Sequence, residues 1–263
     1  MATAAPNQGL PIFYNELQAL NSGQHGQMRV RPMERSEALA HTHAVPVTVD
    51  EFGLAQRHYP IVFSIGDNPI PIALMGLNEG VNVFVDEAGG LLDASLYVPA
   101  YIRRYPFLLA RLTPDSDELS LCFDPTSEAV GDFKEGEALF DGDQPTDATK
   151  AILQFCEQFE TAGQRTAAFM EEIKASGLLM DGDVAIQPEG YEQPFIYRGF
   201  QMVDEEKVRD LRGDELRKMN QSGVLALIFA HLFSLSQMRD VFARQLQQNK
   251  APQAVPQPAP ATV

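Results

Sequence analysis

The chain has no tryptophan, two cysteines and five histidines among its 263 residues. Bases are scarce as well, with 20 Lys+Arg against 36 Asp+Glu and a net charge of −16. Each shortage excludes something. A chain this acidic lacks the basic face that a phosphate backbone requires, so no nucleic acid is expected as a partner. Docking on an anionic membrane surface is disfavoured for the same reason. Two cysteines, Cys122 and Cys156, are too few for a disulfide-stapled secreted domain, and with no histidine nearby they make no zinc site. They read as buried thiols in a reducing compartment. The longest apolar run, near 224–235 and interrupted by His231, is about 12 residues, short of the roughly 20 that a membrane helix needs. The first nine residues carry no base and no apolar run of the secretory kind. The expectation is a protein without a membrane span, cytoplasmic, with export lacking a cleaved signal to a peripheral place at the cell surface as the alternative.

What is present is ordinary globular material: a hydrophobic fraction of 44% and a charged fraction of 21% can build a real core. Short β-branched runs occupy 44–49, 60–65, 70–76 and 81–85, separated by turn signals such as Gly66-Asp67-Asn68-Pro69 and Asn78-Glu79-Gly80. Two more strands read at 119–123 and 137–140. Loops this short join neighbours antiparallel. From 147 the period changes. Ile152, Phe155, Cys156, Phe159, Thr166, Phe169, Met170 and Ile173 recur at three and four, which predicts one helix over 148–175, or a pair broken at Gly163, with Gly177 as a C-cap. Strand text returns at 184–186 and 194–203. Asp204 then caps a short helix, Asp214-Glu215 opens another ending near Ser222-Gly223, and a last helix covers 224–247. Strands first and helices later predict an α+β fold, an antiparallel β-rich body with the later helices packed on it. The organisation expected is a flexible leader over 1–10, one domain over 11–250, and a disordered Pro/Ala/Gln tail over 251–263.

Few residues point to chemistry. His41-Thr42-His43 could share a strand face, but Glu51 lies eight residues beyond His43, so no metal is expected there. Asp141-Gly142-Asp143 and Asp147 suggest a calcium loop. Pro145 and Thr146 stand where an acceptor and a glycine are needed, and an apolar residue where the glutamate is needed, so a turn with a helix cap is the better reading. Residues 113–147 hold eleven acids and one base, which is −10 of the total −16, a solvated face or a surface for a basic partner. The densest stretch is Pro99-Ala100-Tyr101-Ile102-Arg103-Arg104-Tyr105-Pro106-Phe107. Adjacent arginines between tyrosines offer planar forks for a carboxylate or phosphate. Read as an extended segment, it sends Arg103 and Arg104 to opposite faces, one towards an acid of 113–147 and one towards a ligand beside Tyr101 or Tyr105. His231, inside Phe229-Ala230-His231-Leu232-Phe233, is a hydrogen-bonded core residue or a base. The candidate ligand-binding set is Tyr101, Arg103, Arg104, Tyr105 and His231. No nucleophile elbow, phosphate loop, dinucleotide fingerprint or metalloprotease helix is present, so catalytic residues stay unassigned and no cofactor is expected.

Several stretches together resemble the SapC family of bacterial proteins. They are His43-Ala44-Val45-Pro46-Val47 leading to Glu51-Phe52, Tyr59-Pro60-Ile61-Val62-Phe63, the 71–77 and 82–85 runs, Tyr97 to Phe107, and Ala230-His231-Leu232-Phe233-Ser234-Leu235. The Tyr-x-Pro-Ala-Tyr-x-Arg-Arg-Tyr-Pro-Phe segment is the specific part. The chain departs in having no tryptophan ahead of it, where relatives commonly carry one; 91–95 stand there instead. The resemblance implies an accessory or interaction protein linked to bacterial surface or uptake machinery, with an unidentified protein partner. The alternative is an enzyme or ligand-binding protein for a small anionic or peptide substrate at 101–105.

Overall fold

The β-branched runs pair much as their alternation predicts. The computed structural model of the chain describes residues 10–112 and 118–251. Almost all of the leader, almost all of the tail and residues 113–117 of the acid-rich stretch lie outside the described residues. The main sheet has five antiparallel strands in the order Leu179–Asp181, Gln201–Val203, Ile61–Phe63, Pro71–Leu74, Ala44–Pro46. Its central strand, Ile61–Phe63, is buried on both faces, which suits three consecutive apolar residues. A second sheet sets Leu119–Phe123 between Gln18–Ala19 and Phe107–Arg111. A third sets Arg29–Val30 between Val130–Gly131 and Glu137–Ala138. With the helices following, the protein is α+β.

Several elements depart from the sequence reading or decide between its alternatives. Asp147–Ala175 is one helix of 29 residues, unbroken at Gly163. A helical glycine costs only about 1 kcal/mol, and packing on both sides outweighs it: Phe159 and Phe169 both lie against the main core, and Thr166 Oγ1 accepts from Val49 N at 3.0 Å. Residues 81–85 form no strand beyond a single bridge, Val85 to Leu91. The fully buried Asn82 takes over local backbone bonding there. Its Oδ1 accepts from Phe84 N at 2.9 Å and its Nδ2 donates to Leu39 O at 2.9 Å.

The last helical stretch is two helices, Val224–Ser234 and Gln237–Gln247, with a turn at 235–236. By length and composition alone Val224–Gln247, 24 residues, could cross a membrane, so the helical stretch runs beyond its 12 or so apolar residues. In the fold it carries polar groups that bond the sheet. Ser234 Oγ accepts from Ile61 N at 2.9 Å. His231 is fully buried; its Nε2 accepts from Val203 N at 3.0 Å and its Nδ1 faces Ile61 O at 2.7 Å. Gln201–Val203 and Ile61–Phe63 pair at Gln201 and Phe63 only. The imidazole therefore bridges the next rung of a ladder that has opened. This fixes a neutral ring with the proton on Nδ1, and burial lowers its pKa to about 4. Cys122 and Cys156 are free and buried, and burial pushes the Cys156 thiol up to about 12.

Candidate binding site

The Tyr97 to Phe107 stretch folds as a short helix, Ala100–Arg104, entered through Pro99 and left through a cis Tyr105–Pro106 bond. A buried carboxylate holds its start. Glu51, 5% exposed, takes Ala100 N at 2.6 Å and Tyr97 Oη at 2.8 Å on Oε1, and Thr48 N at 3.0 Å and Thr48 Oγ1 at 2.9 Å on Oε2. Four donors make this buried charge tolerable. The turn bearing Glu51 is itself clamped to the helix Asp147–Ala175 by the Arg165–Asp50 ion pair.

Residues 103 and 104 are helical, not extended, so they diverge by about 100° rather than to opposite faces. Arg104 is 5% exposed and lies over the rings of Tyr101 and Phe159, at 4.8 and 4.2 Å from their centroids. Its acid is Glu160 at 3.7 Å, on the helix Asp147–Ala175 and not in the 113–147 stretch, because that helix is the element the Ala100–Arg104 turn packs against. Its Nε is buried without a hydrogen-bond partner. Arg103 is exposed, yet held. Its Nε donates to Val98 O at 3.0 Å and its Nη2 to Tyr97 Oη at 3.3 Å, and its guanidinium lies near the rings of Phe155 and Tyr97. Burial and the neighbouring Glu51 charge push the Tyr97 phenol up to about 12, so it donates to Glu51 while accepting from Arg103. Tyr105 meets Tyr14 edge-on at 5.1 Å and Phe13 at 6.0 Å. Tyr101 donates to Ile12 O at 3.3 Å. Burial raises the pKa of Tyr101 and of Tyr105.

Beside this helix runs a groove of about 400 Å³, lined by Met33, Leu39, Leu91, Ile102, Arg103 and Tyr105 among others. A broader cleft of about 1040 Å³ adjoins it, bordered by Asn15, Thr126 and Glu128. Residues 31–36 and Tyr105 border both, so that segment forms the ridge between them. The ridge is pinned at one end by Arg31 N to Ala129 O, 3.0 Å, and at the other by Ser36 N to Gly89 O, 3.4 Å. A Cβ on Gly89 would meet Ser36 O at 1.7 Å, and its φ is +78°, so glycine is required at that close approach.

Of the five candidate residues, Arg103 and Tyr105 meet at the groove. Tyr101 and Arg104 line neither cavity; they stack on each other and on Phe159, with Glu160 beside Arg104. His231 lines neither cavity, and both its ring nitrogens are spent on the backbone. His43 gives its carbonyl to Met75 N and Gly76 N, while Glu51 faces the Ala100 helix, so the two do not converge. Among the described residues no three His, Cys, Asp or Glu side chains are placed to hold a metal ion. Sequence reasoning passed over Met33, Leu39 and Leu91, which no period or motif marks. It also gave Glu51 and Tyr97 no part in the site, although both sit in the stretches that carried the family resemblance.

The family model described as SapC matches residues 20–241, which takes in the whole groove. No curated protein and no solved structure matches the chain.

Proposed function

The chain belongs to the SapC family, and on that premise we propose that it is a bacterial accessory protein, linked to surface or uptake machinery and acting in the cytoplasm, that holds a protein partner in the groove at Arg103 and Tyr105. One observation carries this reading: Arg103 is exposed while Val98 O and Tyr97 Oη fix its guanidinium. An arginine held in place before binding loses little freedom when a partner arrives. The groups around it suit recognition more than proton transfer. Arginine stays charged, and the tyrosines stay protonated as donors because burial raises them. An acid–base site instead pairs groups whose environments separate their pKa values across neutrality. The groove and the adjoining cleft together run along both sides of the 31–36 ridge, a length that suits a polypeptide segment better than a small anion.

The test is co-purification of the untagged chain from native cells, comparing wild type with Arg103→Ala and with Arg239→Ala, an exposed arginine that borders neither cavity. A discrete partner recovered with wild type and Arg239→Ala and lost with Arg103→Ala is the expected result. Equal recovery in all three removes the groove from the reading.

A further inference from the structure

The ridge over the groove has an unusual backbone. Arg29–Val30 is a fully paired strand, with Val130–Gly131 on one edge and Glu137–Ala138 on the other. Pairing ends one residue later, at Arg31 N to Ala129 O. From there to Ser36, among the described residues, no backbone N–H of 33–35 and no carbonyl of 32–35 makes a hydrogen bond within the protein. Pro32 has no N–H to offer. Both ends of the segment are tied, so its free groups stay at the groove's edge. Such a row of unpaired donors and acceptors is what an added strand uses.

Charge supplies a second, independent observation. The protein carries −16 overall, yet Arg31, Arg35 and Arg103 border the groove against one acid, Glu34; Arg31 is spent on Glu128 O and the Phe133 ring, which leaves Arg35 and Arg103 to the groove. Arg103 has no carboxylate partner among the described residues, and its Nη1 makes no bond that holds it back. Apart from Ser36 and Tyr105 the rest of the lining is apolar, with Met33 half-buried on the ridge and Leu39, Leu91 and Ile102 among the other walls.

We propose that residues 32–35 pair main chain to main chain with an extended segment of the partner, which places an apolar side chain in the groove and a carboxylate on Arg103. Alternate residues of an extended chain share a face, so the apolar and acidic groups stand two residues apart in the ligand. The main chain gives strength and the groove gives selection. The inference rests on the binding reading above and names the kind of partner that fits it.

The experiment is selection of random heptapeptides, displayed on phage, against the full chain. Enriched peptides carry an acid two residues from a large apolar residue. A synthetic peptide of that sequence loses about tenfold or more in affinity for Arg103→Ala, the worth of a charge-assisted hydrogen bond, and less for Arg103→Lys, which keeps the charge and loses the fork. N-methylation separates the main-chain claim. Methylating the amides of one alternate register abolishes binding, and methylating the other leaves it. Enriched peptides without acids, or indifference to N-methylation in both registers, overturn the proposal. If either occurs while co-purification still depends on Arg103, the binding reading stands and the extended acidic ligand falls. If an acidic peptide binds as described and co-purification is indifferent to Arg103, the ligand chemistry stands and the cellular role falls.

Discussion

Arg103 and Arg104 are neighbours with opposite surroundings, and the difference is measurable. Arg104 is enclosed by two aromatic rings with a carboxylate loosely beside it. Lysine keeps the charge there but loses the planar stacking, so Arg104→Lys costs about 1–3 kcal/mol of stability by urea unfolding. Arg103→Lys stays within about 0.5 kcal/mol of wild type, as exposed substitutions do. Equal effects would mean that the two sites are not distinct. That one arginine is buried and the other exposed was legible from the repeated arginine, though for a mistaken reason: the residues are divided by a helical turn, not by an extended chain. His231 titrates as its burial dictates. The unfolded imidazole protonates near 6.5 and the folded one near 4, so its contribution is complete above about pH 6.5. As pH falls from 6.5 to 4 the unfolded chain takes the proton first, and about 3 kcal/mol is lost. Unfolding midpoints measured across that window should slope downward in wild type and lose that component in His231→Gln. An unchanged slope in the variant would place the titration elsewhere.

At the scale of elements, one buried carboxylate joins three pieces of chain: the 48–51 turn, Tyr97 and the first turn of Ala100–Arg104. Glu51→Gln keeps the shape but turns an amide N–H towards donors, so it costs roughly 2 kcal/mol or more. It also loosens Tyr97 and through it Arg103. Partner binding should therefore weaken together with stability, read as recovery at a temperature where the variant remains folded. Full recovery from a folded, destabilised variant would separate the carboxylate from the site. The strands at 44–76 and the helices after 204 were readable because each obeys its own period and carries its own turn or cap, although the stretch read as one helix over 224–247 is two. Residues 81–85 were not, since a buried asparagine side chain replaces the ladder and no alternation announces that. Gly163 left one helix or two open for the converse reason: a local cost of about 1 kcal/mol is overridden by packing that lies far away in sequence.

Over the whole molecule, acidity and architecture pull apart. The charge of −16 says nothing of fold, while the groove keeps Arg35 and Arg103 on its border and Arg31 is tied to Glu128 O beside it. Half of that site was legible, because Arg103 and Tyr105 stand in a dense segment. The other half comes from the 31–36 ridge, which has neither periodicity nor motif and acquires its place only when Ser36 closes on Gly89. A photo-crosslinking amino acid at Met33, half-buried on that ridge, tests the groove as a partner site in native cells, with Ile196 on the Val184–Ile186 and Phe195–Tyr197 hairpin as the comparison position. Occupation by a partner requires a discrete adduct from position 33, none from position 196, and its loss when Arg103→Ala is added. No adduct from position 33, or one that persists without Arg103, would contradict it.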